Sequence, residues 1–512
     1  MSSERRGGGR KARAGRSHEG IPQMPWQRVE NPYRPMELLD PEQMDRLHAT
    51  SMRILSELGI RVMGANVLDL FEEAGAIVDR ESSVVRIDES LVAEALKTAP
   101  SRYTLTSRNP ERELLFGGNA MVFGLVAGPP NVHDRVNGRR SGNLKDYENF
   151  IRLAQHFNVI HMIGNQVVAP VELPAGSRHL DTYRANLTLS DRCFHLSAIG
   201  RGRVLDGIRM TAIARGITLD EMRASPGVTT IISVNSPRLF DEQMGDGLIA
   251  MAEHGQPVTI TPFTLMGAMT PVTLAAALAQ QNAEALFGIV LTQLVNPGTP
   301  VMYGAFTSNV DMRSGAPAFG TPENAKANVV GGQLARRYGL PYRTSNSNAS
   351  NAVDLQAAYE TEMATWGAVL GGANLIYHAA GWLQGGLTAS YEKLILDVEI
   401  LQNMVEFLKP LAFGEDDLGF DAIREVPTGG HFFGAAHTMA RYETAFYRPM
   451  LSDWTNYENW EIAGAHDALD RATSLWQQAL ADYEEPVMDP GVREELDAYV
   501  AHRREEIGLG EP

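Results

Sequence analysis

Gly339–Glu360 reads GLPYRTSNSNASNAVDLQAAYE, and three kinds of chain follow one another in it. Leu340–Ser345 reads as a short strand. Asn346–Asn351 is a run of small polar residues, too polar for a core strand and free of Gly and Pro. Asp354 stands where a helix N-cap stands, ahead of a helical stretch reaching Val369. Strand, polar loop and helix make one β/α unit. In a barrel of such units the chemistry sits on the loop that follows the strand. A surface loop before a capped helix would give the same local signature, so the decision rests on repetition along the chain.

That repetition is found from Asn119 onward, where short apolar or β-branched runs alternate with longer helical stretches. Eight candidate strands follow: Ala120–Val126, Val159–Val168, Cys193–Ile199, Thr229–Asn235, Val258–Pro262, Val301–Phe306, Leu340–Ser345 and Asn374–Ala379. Helical patterns lie between them at Asp146–His156, Arg203–Arg215, Asp241–His254, Pro271–Val295, Pro322–Tyr338 and Leu355–Val369, and Ser390–Leu408 supplies the eighth helix. The fold class expected is α/β: a (β/α)8 TIM-type barrel over residues 119–410. An open doubly wound sheet is the runner-up. It would show a Gly-rich dinucleotide fingerprint after the first strand, where this chain has Gly128-Pro129-Pro130. Residues 26–118 read as a small N-terminal α+β cap, and 411–512 as a C-terminal helical extension. Residues 1–25 are basic and Gly-rich. Arg5-Arg6 is followed by no apolar run, so a disordered tail is expected there rather than a secretion signal.

Composition narrows the function. A formal net charge of −17 argues against nucleic-acid binding. Cys193 is the only cysteine, so cysteine-based zinc and iron–sulfur sites and internal disulfides are excluded, and a reducing cytoplasm is the simplest setting. No apolar run reads as long enough to span a bilayer.

The strand ends carry neutral hydrogen-bonding residues and aromatics: Asn165 and Gln166, His195, Asn235 and Ser236, Thr261, Tyr303 and Phe306, Thr344–Ser347, then Tyr377, His378 and Trp382. Metal-assisted and glycoside hydrolysis need carboxylates at such positions, and a Schiff-base aldolase needs a lysine. Aromatics with neutral amides suit a cationic ligand held by cation–π contact. Each residue also has a plain structural reading, as packing at the barrel mouth or a hydrogen-bonded core histidine. Thr321-Pro322-Glu323 reads as a helix start. His431 and His437 are six apart with no carboxylate between them, which favours a His-aromatic turn closing the mouth over a zinc site.

With these segments in view, the chain resembles the trimethylamine methyltransferase superfamily, in its branch without pyrrolysine. The resemblance is carried by GTPVMYGAFTSNVDMRSGAPAFGTPE (Gly298–Glu323), VDLQAAYE (Val353–Glu360), GGANLIYHAAGWLQGG (Gly371–Gly386) and GGHFFGAAHT (Gly429–Thr438), and it covers nearly everything from Leu38 on. It implies a barrel enzyme that takes a methyl group from a methylated amine and passes it to the cobalt of a separate corrinoid protein. No tightly bound cofactor and no metal ligand is then expected in the chain itself. The pyrrolysine of relatives maps near Ser347, which becomes the candidate catalytic position. His195, Asn235, Tyr303, Phe306, Asn346, Tyr377, His378 and Trp382 become candidate substrate-binding residues. Branch members without pyrrolysine use quaternary amines such as glycine betaine, proline betaine and carnitine. If the substrate carries a carboxylate, Arg343, Arg313 or backbone N–H groups are available to it. A homo-oligomer is expected, with no membrane or nucleic-acid partner. Two other readings stay open on sequence: a barrel lyase using His195 or His378 as acid or base, and a non-catalytic binder of betaine-like ligands.

Overall fold

The computed structural model describes residues 20–508. Eight parallel strands form a closed barrel: β1 (Ala120–Leu125), β2 (Met162–Ile163), β3 (Cys193–Leu196), β4 (Val228–Ile232), β5 (Val258–Ile260), β6 (Val301–Gly304), β7 (Tyr342–Ser345) and β8 (Leu375–Ala380). Closure is made by β8, which pairs in parallel with β1. The helices that follow the strands are α1 (Leu144–His156), α2 (Arg178–Leu189), α3 (Arg201–Arg215), α4 (Glu242–Glu253), α5 (Leu274–Val295), α6 (Pro322–Arg337), α7 (Leu355–Gly371) and α8 (Tyr391–Phe407).

Strand β2 is far shorter than the Val159–Val168 reading, and α2 was not read from the sequence at all. Thr182, Asn186 and Thr188 are weak helix formers, and the N-cap Ser177 makes no side-chain cap bond. Tertiary packing holds α2 instead. Asp354, by contrast, caps α7 as its position implies, its carboxylate accepting from the N–H groups of Gln356 and Ala357.

Strand parity sorts the side chains. Tyr303 of β6 points outward, its hydroxyl donating to Asn282 Oδ1 on α5 at 2.9 Å and accepting from Gln281 Nε2. The interior set includes Val122, Met162, Cys193, Met302, Leu375 and Tyr377, which pack together as one cluster. In β7, Tyr342 and Thr344 point outward and bond to Asn328 of α6, so Arg343 and Ser345 face the interior.

Helix α5 has the length and apolarity of a membrane span, which corrects the reading that no run reaches that length. It is apolar all round because both sides are covered: the barrel on one and the N-terminal helix Pro41–Arg53 on the other. That helix is fixed by a capping box between Asp40 and Gln43, and Ser51 Oγ donates to Ala279 O of α5. A small sheet (Ile60–Val62, Ile77–Asp79, Val84–Arg86) takes its fourth strand, Leu239–Phe240, from the β4–α4 loop. The N-terminal unit is thereby sewn into the barrel wall. Gln23 and Met24, within the stretch read as tail, are hydrogen-bonded to His156 and Gln402; residues 1–19 of that stretch lie outside the described residues.

Two small sheets stand on the barrel's C-terminal rim. One joins Phe263–Met266, Phe306–Val310 and Pro317–Ala318. The other joins Asn131–Asp134, Gly138–Ser141, Trp382–Leu383 and Thr388–Ser390. They deepen the mouth on two sides. Farther on, Ala468–Ala481 packs on α8, where Trp476 stacks on Tyr391, and Pro490–Gly508 is tied to the barrel by Arg503 to Asp206 at 2.9 Å.

Helices α6 and α7 cross at glycine. A Cβ at Gly332 would lie 1.9 Å from the carbonyl oxygen of Gly371. Gly332→Ala is therefore expected to lower stability by about 1–3 kcal/mol, by forcing the helices apart. Urea melts of the two proteins check this, with an unchanged midpoint counting against the packing argument.

Candidate functional site

A cavity of 540 Å³ opens at the C-terminal end of the barrel between the two rim sheets. Its lining is aromatic and neutral: Phe263, Phe306, Phe319, Tyr377, His378 and Trp382, with Asn165, Ser233 and Thr261. Arg343 is the only charged side chain in the lining, and among the described residues the lining holds no carboxylate and no lysine.

The rim sheets place the rings. Strands β5 and β6 continue past the barrel into the first sheet, bringing Phe263 within 5.0 Å of Phe306, centroid to centroid. Phe319 stacks on Phe306 at 5.4 Å. From the second sheet, Trp382 meets Phe319 edge-on at 6.2 Å and Phe306 at 6.1 Å. Trp382 is pinned on both sides of its peptide: its indole N–H donates to Asn348 O, and Asn348 Nδ2 donates to Trp382 O.

Strand β8 is irregular at the point that matters. Its register with β1 shifts between Ile376 and Ala380, and His378 has φ 56°. In a regular strand Tyr377 and His378 would face opposite ways. The bulge turns both into the cavity, with rings 4.4 Å apart. A side chain at positive φ is costly, and such strain concentrates at functional sites. Just beyond, the N–H of Gly381 donates to Asp397 of α8 at 2.8 Å, and Asp397 is paired with Lys393 in a fully buried salt bridge. Burial raises the Asp397 carboxyl to about 6 against the opposing pull of Lys393. On the opposite wall, Gly124 of β1 makes room for Tyr377: a Cβ there would lie 2.9 Å from its ring.

Electrostatics follow from burial and one fixed charge. Arg343 is 1% exposed, and burial lowers its pKa to about 10, so it stays charged at neutral pH. It lies 5.1 Å from the ring of Tyr377 and 5.5 Å from that of Phe306. His195 is pushed down to about 3, first by burial and then by the Arg343 charge. His378 falls well below the ordinary range for the same two reasons. Both rings are neutral at pH 7. Ser345 Oγ lies 3.1 Å from His378 Nδ1, and the Tyr377 hydroxyl accepts from the Asn165 N–H at 2.6 Å.

The candidates divide accordingly. Phe306, Tyr377, His378 and Trp382 line the cavity together. His195 sits behind Tyr377, ring to ring at 4.6 Å. Ser347 and Asn346 are buried in the loop after β7 but do not line the cavity; Ser347 Oγ has no partner, and Asn346 Nδ2 donates to Ala379 O. The Tyr303 side chain points out of the barrel against α5, and Asn235 is exposed, bonded to Asp241. The His431–His437 turn is exposed at His431 and half-buried at His437, with His437 Nε2 against Asp416 O, and does not border the cavity. Sequence reasoning did not single out Phe263 and Phe319. Phe263 directly follows Thr261-Pro262, a strand end already marked, and Phe319 sits within the Gly/Pro-rich loop after β6.

The family profile described as trimethylamine methyltransferase matches residues 5–508. The glycine betaine methyltransferase of Desulfitobacterium hafniense (strain Y51) is 38% identical over 475 residues, covering 92% of this chain and 98% of that protein. The trimethylamine methyltransferase MttB of Desulfitobacterium hafniense (strain DSM 10664 / DCB-2) is 27% identical over 470 residues, 91% of this chain and 94% of that one. Among solved structures, the Methanosarcina barkeri monomethylamine methyltransferase aligns with a TM-score of 0.52 at 9% identity, over 88% of this chain and 90% of that chain, a likeness of fold. With a closed (β/α)8 barrel, an aromatic mouth and a profile match along nearly its whole length, this chain belongs to the trimethylamine methyltransferase family.

Proposed function

We propose that this chain demethylates a quaternary methylated amine and delivers the methyl group to the Co(I) of a corrinoid protein. The observation that carries the reading is the cavity itself: an aromatic cage with one neutral histidine, His378, and, among the described residues, no carboxylic acid or lysine in its lining. A docked corrinoid partner would supply the Co(I) nucleophile; the methyl carbon would bond to that acceptor as its bond to nitrogen breaks, and the electron pair of the broken bond would leave with the tertiary amine. A quaternary nitrogen needs no proton in that step, so the residues have three tasks. Phe263, Phe306, Phe319 and Trp382 surround the ammonium group. Their bulk excludes water and holds one methyl group toward the mouth. The loop after β7, with Asn348 bonded to Trp382, keeps the cage in place. Ser347 offers no activating group to the cavity, which agrees with a substrate that needs none.

Assembly with a second copy is part of the proposal. Residues 411–465 carry Phe413, Phe420, Phe433, Phe446, Trp454 and Tyr457, each 64–83% exposed. At ~150–250 Å² per aromatic side chain, they present on the order of 600–1,000 Å², against roughly 800 Å² per partner in a standard interface. The outer face of α7 (Leu355, Tyr359, Met363, Leu370) is likewise apolar and uncovered. Light scattering is expected to give a multiple of the 56.0 kDa chain mass, and Phe433→Asp with Phe446→Asp to shift it toward the monomer. A wild-type monomer at micromolar concentration would remove this part of the reading.

Methylcobalamin formation from free cob(I)alamin, or from a purified corrinoid protein, with a panel of quaternary amines tests the reaction. One active substrate is expected, and Trp382→Ala should lower kcat/KM by about 10-fold or more. No product with any amine or either acceptor would sink the methyl-transfer reading and favour a betaine binder. Because no group in the cavity titrates near neutrality, kcat/KM should be flat from pH 6 to 8; a limb in that range would point instead to a histidine acting as acid or base. For stability the sign is different. His195 has a folded pKa near 3, below the ordinary 6.5, so the unfolded chain binds the extra proton. Its contribution is complete above about pH 6.5 and is lost as pH falls toward 3. His195→Asn is expected to flatten that acid limb by up to ~1.4 kcal/mol per pH unit, read from denaturant melts between pH 7 and 5.

A further inference from the structure

Helix α7 turns an apolar face to solvent. Its exposed residues are Leu355, Gln356, Tyr359, Met363 and Leu370, and all but Gln356 are large and apolar. With half-buried Trp366 they form one row down the helix, ~22 Å long at ~1.5 Å rise per residue. Among the described residues no other barrel helix does this: α1 to α6 expose no large apolar side chain, and α8 exposes only Phe407, which packs edge-on against Trp366. A second stretch has the matching fault. Between Leu408 and Met450 the chain forms short helices at Glu415–Leu418, Phe420–Glu425 and Ala436–Arg441. Yet Ala435 is the only buried residue there, and none of residues 409–449 joins a hydrophobic cluster of the described residues. Helices of four to six residues do not hold without packing. The apolar side chains of this arm, Phe413, Phe420, Phe433 and Phe446 among them, face solvent. Its ends are fastened to its own chain by Leu408, buried at the end of α8, and by the N–H groups of Met450 and Leu451, which donate to Glu399 of α8.

We infer that the arm of one copy, residues 409–449, lies along the α7 row of a second copy, so that two copies exchange arms. This exchange rests on the assembly reading above and gives it a seat. Within one chain the arm leaves the row bare, although Phe407 at its root already touches Trp366 of α7. Each surface is apolar and each lacks cover, so one contact satisfies both, whereas α7 packed on α7 would leave the arms in water. In a two-fold pair each copy gives an arm and receives one, so the contact forms twice. With ~150–250 Å² per aromatic side chain, most of it exposed, the four arm phenylalanines and Tyr359 bring each partner to about 800 Å², the size of a standard interface. The seat backs onto the cavity. On the buried side of α7, Glu360 accepts from the N–H groups of Ala349 and Ser350, and the same loop holds Trp382 through Asn348. An arm pressed on Tyr359 and Met363 therefore braces the helix that anchors one wall of the cage.

Cross-linking between two differently tagged full-length copies, expressed together, decides the matter. One carries Tyr359→Cys and the other Phe420→Cys, Phe433→Cys or Phe446→Cys; native Cys193 is buried, so the introduced thiols are the accessible ones. With a short bis-maleimide, at least one of the three pairs is expected to give a band that contains both tags. No mixed band, with Tyr359→Cys joined only to itself, would mean that α7 packs on α7 and would overturn the exchange. Tyr359→Glu with Met363→Glu, both on the exposed side of α7, should weaken self-association about 30-fold or more, as Phe433→Asp with Phe446→Asp should. Joining the two sets should add little, because both remove the same contact; fully additive effects would overturn the exchange. Should the paired glutamates disturb α7, hydrogen exchange on wild type carries the test. Amides of residues 355–370 and 415–441 should lose protection together on dilution to the monomer, and those of Ala349 and Ser350 should follow. A chain that stays monomeric at micromolar concentration, and protects these surfaces only when a corrinoid protein is added, sinks the exchange and the assembly reading together. An oligomer that gives no mixed band sinks the exchange alone. Methyl transfer is read separately by the cobalamin assay and stands or falls without either.

Discussion

An uncompensated guanidinium inside the barrel constrains the chemistry of everything around it. A charge at Arg343 lowers the affinity of each neighbouring base for a proton, and His195 and His378 are neutral for that reason as well as through burial. Neutral imidazoles beside neutral phenols leave a site without an acid or base of ordinary strength. The same charge sits against two aromatic faces. Those rings are thus part of the protein's own electrostatic balance as well as surfaces for a ligand. Burial is the larger cause of both neutral rings, and the charge on β7 adds to it.

The shape of the mouth depends on a second constraint, the break in β8. A parallel barrel strand presents alternate residues to its interior, so each strand normally offers one ring at a given height. The bulge at His378 breaks that rule and lets Tyr377 and His378 share a side. The strain is held by partners below and above it. Asp397, buried with Lys393 beneath the strand, takes the Gly381 N–H, and Asn348 clamps Trp382 from the neighbouring loop. Glu360 in turn binds the N–H groups of Ala349 and Ser350, which fixes that loop to α7. The polar run Asn346–Ser350 is therefore largely buried, not a surface loop, and it leaves Asn346 Oδ1, Ser347 Oγ and Asn348 Oδ1 without partners.

The architecture was legible in the sequence because β/α alternation is a local pattern with a long period. All eight strands lie within or beside the stretches read for them, and the caps at Asp354 and Thr321 are where their residues imply. The side each strand residue faces was not legible. Both faces of a barrel strand are buried, so the hydrophobic pattern carries no phase. Tyr303 was placed at the mouth on composition alone, and parity puts it against α5. Asn235 lies beyond the end of β4, in a turn tied to Asp241, and faces solvent. Phe319 and Trp382 meet only through the rim sheets, whose pairings join residues far apart in sequence. Arg343 was visible as a residue; its isolation from any carboxylate was not, because that is a property of the folded neighbourhood.

The loop after β7 shows how little this site asks of the position near Ser347. A nucleophile or activating group must reach the reacting atom, and Ser347 is fully buried outside the cavity lining. Replacing it with a longer activating side chain would not create a neutral-amine enzyme by itself, because Arg343 would remain in the same cavity with no anion to meet. Activation and charge balance are separate requirements, met at separate places. Here the loop after β7 is where the first would be met, and it brings no side chain to the cavity lining, while the second arises at Arg343 on β7.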